Sequence, residues 1–137
     1  FLIFNQSNYD TGKNDVVITL ERTVCFGLCP AFKLTIYGNG SVVYEGERFV
    51  NVTGKRTYEI DEKEVEKLID EFYKIDYFSL KNEYTAGITD LPTTITSITI
   101  NGRTKKVVDY YGAPEKLKNL ENMIDEVAGS DRFVKGS

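Results

Sequence analysis

The run Arg22-Thr23-Val24-Cys25-Phe26-Gly27-Leu28-Cys29-Pro30 holds both cysteines of the chain, four positions apart. Two thiols at this spacing can close a disulfide, exchange electrons with another thiol pair, or hold a soft ion such as Cu(I). A disulfide needs the loop to fold back until the α-carbons approach within about 7 Å, and Gly27 between the thiols permits that turn. Pro30 restricts Cys29 to an extended conformation, which feeds a following strand.

The rest of the composition narrows the chemistry. There is no histidine, so histidine triads and most zinc and copper centres are excluded, and acid–base work would fall to carboxylates with shifted pKa. C-x-x-x-C-P also occurs in copper-delivery proteins of the thioredoxin fold, but the similarity stops at the spacing, because their histidine ligand is missing here. Thiol exchange catalysts usually place their cysteines two apart at a helix N-terminus, and no helix signal follows Cys29. No glycine-rich phosphate loop, nucleophile elbow or metal-spaced cluster is present, and no metal or other cofactor is expected. A structural Cys25–Cys29 disulfide is the favoured reading; exchange, Cu(I) handling and free buried thiols stay open beside it. Closing so short a loop would constrain the unfolded chain by only about 2 kcal/mol.

Arg22 ends a strand-like run on its apolar face and reads either as a snorkelling edge residue or as a buried guanidinium that needs a carboxylate partner. Asp90, Asp109 and Glu83 can supply one, and Arg22 with Asp90 is the preferred pair, with a structural role. Tyr84, Asp109 and Tyr110 fall at loop or strand-end positions and read either as the rim of a ligand site or as ordinary turn chemistry. Arg22, Gly27, Pro30 and Asp90 form the expected structural polar site.

These residues must be positioned by the elements around them. Val16, Ile18 and Leu20 alternate with Val17, Thr19 and Glu21, the period of a half-buried strand. Phe32, Leu34 and Ile36 repeat that period, and Gly38-Asn39-Gly40 turns the chain into a return strand at 41–45. The stretches 47–52 and 55–60 read as a second hairpin. Asp61 caps a helix whose stripe is Val65, Leu68, Ile69 and Phe72, with Glu64 completing the capping pattern. The polar stretch 81–92 reads as a long connection without secondary structure. Asn101-Gly102 joins strands 93–100 and 103–110, in a register that pairs Ile98 with either Lys105 or Lys106. Pro114 begins and Gly129 ends a second helix with stripe Leu117, Leu120, Ile124 and Val127.

Strands followed by a helix, then a hairpin and a helix, predict an α+β domain: an antiparallel sheet of hairpins with two helices packed on one face, in two layers. Residues 1–14 read as an N-terminal linker or edge segment, 15–134 as the single domain, and 135–137 as a tail. The opening Phe1-Leu2-Ile3-Phe4 reads either as the end of an upstream signal or anchor or as an edge strand. No run of apolar residues is long enough to span a membrane. A net charge of −4 without a basic block argues against nucleic-acid binding.

Arg22, Cys25, Gly27, Cys29 and Pro30 spell R-x-x-C-x-G-x-C-P, followed by a strand, the glycine turn at 38–40 and a return strand. With Tyr84, Thr89-Asp90 and Gly112-Ala113-Pro114, the run resembles a family of uncharacterised prokaryotic proteins, often exported or lipid-anchored, over roughly residues 15–134. That resemblance supplies no catalytic residue, implies work outside the cytoplasm, and makes the cysteine loop a shared structural element. The expectation is a non-enzymatic extracytoplasmic binding module, periplasmic, secreted or on the cell surface, whose partner is a protein or small ligand.

Overall fold

The computed structural model describes residues 15–23, 25, 27–87 and 91–136. The expected N-terminal segment and Asp90 lie outside that set. The described strands are β1 (Val17–Arg22), β2 (Ala31–Tyr37), β3 (Ser41–Arg48), β4 (Gly54–Glu59), β5 (Glu83–Tyr84), β6 (Thr94–Ile100) and β7 (Arg103–Asp109). They form one sheet in the order β4-β3-β2-β1-β6-β7-β5, antiparallel except for the parallel contact of β5 with β7. Helices α1 (Glu62–Lys74), α2 (Glu115–Ala128), the single turn α3 (Asp131–Val134) and a 3-10 turn at Tyr77–Ser79 complete the described elements.

Period-two alternation settles which side chains meet the helices. Ile18, Leu20, Leu34, Ile36, Val42, Tyr44, Ile98 and Val107 are buried, and Val65, Leu68 and Phe72 of α1 pack with Leu117, Leu120 and Ile124 of α2 into the same core. Ile69 and Val127 flank that core, partly buried. The fold is therefore the expected α+β architecture, an open sheet with helices on one side. Among the described residues no element covers the opposite face, which is mainly polar but also carries Val17, Val43 and Ile95. Across it run a rung of alternating charge, Lys55, Glu45, Lys33 and Glu21, and beside that the rung Thr57, Val43, Thr35, Thr19 and Ser97.

The caps follow the sequence closely. Asp61 accepts a hydrogen bond from the Lys63 amide at the start of α1, and Gly129 ends α2 in the left-handed region at φ 65°. Pro114 caps α2 from outside its first turn. The Asn101-Gly102 turn uses positive φ at both residues, 54° and 76°, which matches the strand twist and sets Ile98 opposite Lys105.

Two expectations change. The second hairpin does not form: β3 runs on to Arg48, β4 pairs directly with β3, and residues 49–53 turn aside. The pairing of β2 with β3 shifts between Ala31 and Phe32, and Phe49 takes φ 55°; the amides of Asn51 and Val52 then bond the carbonyls of Val134 and Phe133. The turn thus trades strand pairing for contact with α3. Gly46 is required there, because a Cβ would run into the Val52 carbonyl and the Tyr44 ring. The 81–92 connection also contains a short strand, β5, held by the Val108 amide on the Asn82 carbonyl and the Tyr110 amide on the Tyr84 carbonyl. Two residues are too few for alternation to signal a strand.

Candidate functional site at the Arg22 end of the sheet

One rung at the end of the sheet collects most of the polar groups. Phe32 of β2, Arg22 of β1, Thr94 of β6, Asp109 of β7 and Tyr84 of β5 stand side by side in register. The inward phase that buries Ile18 and Leu20 turns Arg22 toward α2. There its Nε and Nη2 donate to Asp125 Oδ2 at 3.1 and 2.6 Å, and its Nη1 donates to Thr94 Oγ1 at 3.0 Å. Ser130, just past the helix end, donates to Asp125 Oδ1 at 2.7 Å and holds the carboxylate from its other side.

Thr94 separates this group from a second one. Lys118 Nζ bonds Asp109 Oδ2 at 3.0 Å, and the Glu121 carboxyl hydrogen-bonds Asp109 beneath α2. Both acids are almost fully buried, at 3% and 4% exposure. Among the described residues Asp109 Oδ1 and Glu121 Oε2 find no N–H or O–H donor; a proton held by Glu121 would supply one between them. Burial, and then the neighbouring Asp109, push the Glu121 pKa up to about 9, against smaller opposing effects of Lys118 and Arg22. With Glu121 neutral, Arg22 and Lys118 balance Asp109 and Asp125. Tyr77 closes the buried polar region through Thr96, hydroxyl to hydroxyl at 2.8 Å, and its own burial raises its pKa.

The disulfide loop leaves the sheet beside Arg22. Cys25 and Cys29 are bonded, with α-carbons 5.7 Å apart. The Gly27 amide donates to Cys25 Sγ at 3.3 Å, and Leu28 at the loop tip is exposed. Pro30, Phe32 and Arg22 form one side of a cleft of about 610 Å³ whose other side is Asn122, Asp125, Glu126 and α3. On its other flank Arg22 borders a second cleft, with Glu21, Lys33, Glu47 and Lys55. A guanidinium fixed from behind and open to two clefts can bind a carboxylate or another planar anion; it cannot serve as a base. Among the described residues no three Cys, Asp or Glu side chains gather at metal-binding distance.

The predicted site residues are only partly brought together. Cys25, Gly27, Cys29, Pro30 and Arg22 share one end of the sheet, as expected. Arg22 takes Asp125, a partner the sequence reading did not consider. Of its other expected partners, Glu83 sits out on β5 and Asp109 belongs to the Lys118 group. Tyr84, Asp109 and Tyr110 are close in the backbone but do not make one rim. Asp109 points under α2; the Tyr84 hydroxyl accepts from the Lys81 amide and the Tyr110 hydroxyl from the Leu91 amide. Glu121 carried a legible signal: it follows Leu117 by four and precedes Ile124 by three, an acid inside the apolar stripe. Asp125 lies four further on.

A family model described as a domain of unknown function, DUF6438, matches residues 16–128. No curated protein matches the chain. The match spans both helices, the sheet and the disulfide loop, and the chain belongs to the DUF6438 family.

Proposed function

We propose that this family member is a non-enzymatic binding module working outside the cytoplasm, which takes a carboxylate-bearing peptide or small ligand in the cleft over Arg22. One observation carries the reading: Arg22 is anchored by Asp125 and Thr94 yet keeps 26% of its side chain exposed between two clefts. Among the described residues three of its N–H groups are committed, and a guanidinium has five. In this reading the disulfide braces the loop that forms one cleft wall. A strand follows Cys29, so no helix dipole acts to lower a thiol pKa. Disulfides also persist chiefly in oxidising compartments, which favours an exported domain.

Backbone-amide NMR during titration with short peptides ending in a free carboxylate tests this. Shifts should concentrate at Arg22, Phe32, Asn122 and Asp125, and Asn122→Trp, an exposed helix position that would fill the cleft, should remove them. Shifts elsewhere, or none, would sink the reading.

Thiol–disulfide exchange is the second reading, and the Gly27 amide on Cys25 Sγ favours it, because that hydrogen bond would stabilise a Cys25 thiolate after reduction. Equilibration with glutathione at graded ratios separates the two. A brace stays oxidised through the cytosolic range, whereas an exchanger titrates within it.

A further inference from the structure

We infer that β4 is a self-association edge, and that two copies of the chain pair their β4 strands antiparallel about Thr57 to join their sheets into one. β4 ends the sheet, and every residue in it but Tyr58 is exposed. The Ile60 amide bonds the Gly40 carbonyl at 2.8 Å, which makes 40 and 60 a hydrogen-bonded pair. Alternation along the register then directs the main-chain groups of Gly54, Arg56 and Tyr58 to β3. Those of Lys55, Thr57 and Glu59 face outward. Arg56 Nη1 touches the Lys55 carbonyl at 3.0 Å from solvent, and a carbonyl has a second lone pair for a strand partner.

The side chains of these outward residues lie on the uncovered face. Pairing about Thr57 sets Lys55 of each copy opposite Glu59 of the other, and Thr57 opposite itself. The rung Glu21, Lys33, Glu45, Lys55 alternates in sign, and Glu59 of the second copy continues that alternation across the junction. On the helix-covered side Arg56 meets Tyr58 of the second copy. A register centred on Lys55, Arg56 or Glu59 would instead oppose like charges, which is destabilising. This self-complementarity is what selects a second copy as the occupant, since unpaired edges otherwise accept any strand. The surface is separate from the cleft between Arg22 and α2, while Gly54 and Lys55 also line the second cleft beside Arg22.

Sedimentation equilibrium on the described domain, up to about 1 mM, should show a monomer–dimer equilibrium. Lys55→Glu should weaken the dimer about tenfold or more, and the exchange Lys55→Glu with Glu59→Lys should restore it. Thr57→Pro should abolish the dimer while keeping the β3 ladder, because the amide it removes faces outward; thermal melting checks that each variant is folded. A monomer at every concentration would overturn the proposal. So would a dimer indifferent to Lys55→Glu, or a charge exchange that fails to restore pairing.

Discussion

Glu121 of α2 faces Asp109 of β7, two carboxyl groups buried together beneath a helix with one proton to share. The Lys118 ammonium reaches Asp109 alone, at 3.0 Å. The pair therefore makes the fold's stability depend on pH in a direction opposite to that of most salt-bridged acids.

The sign follows from linkage. Glu121 has a folded pKa near 9 against an ordinary value of 4.5, so between those pH values the folded chain holds a proton that the unfolded chain has released. Stability is full below the ordinary value and falls as pH rises toward 9, by about 1 kcal/mol per pH unit from this group. Urea unfolding at several pH values in that range should show the decline, and Glu121→Gln should flatten it. Parallel pH profiles for the two proteins would mean that Glu121 is ionised when folded.

The Arg22–Asp125 pair ties β1 to α2 and is partly screened by water, with exposures of 26% and 20%. Arg22→Ala and Asp125→Ala should each destabilise the fold, and the double variant should lose less than the sum by about 1 kcal/mol. Additive losses in that cycle would show that the two ends are held independently.

Replacing Cys25 and Cys29 together by Ser should lower stability by about 2 kcal/mol, the entropy expected of a short closed loop. The sheet should survive, because the Thr23 amide also bonds the Thr93 carbonyl and secures the strand end separately. Intact mass before and after alkylation of unreduced protein checks the oxidised pair; two alkylated thiols in protein taken from an oxidising compartment would count against it.

Leu68 and Leu120 are fully buried between the helices and the sheet. Either one replaced by Ala should cost about 2–5 kcal/mol, read from the shift of the denaturation midpoint. Losses near those of a surface residue at both positions would contradict the packing described.

The sequence by itself determined the long elements and their faces, though not β5, α3 or the turn at 49–53. Alternation at Ile18, Leu20, Leu34 and Ile36, helical stripes through Leu68 and Leu120, and the caps at Asp61 and Gly129 are local patterns, and local patterns survive without knowledge of the partner. It also placed Arg22 beside the cysteine loop, since they adjoin in the chain. Tertiary structure alone decided what Arg22 bonds to, because Asp125 is 103 residues away and becomes a neighbour only once α2 crosses the sheet. The same crossing turned Asp109 from a supposed rim residue into the buried partner of Glu121. Tertiary contact likewise abolished the second hairpin, where α3 competed with strand pairing for the amides of Asn51 and Val52. Periodicity fixes which way a side chain faces; only packing fixes what it meets, because charge pairing depends on distances that the intervening chain does not encode.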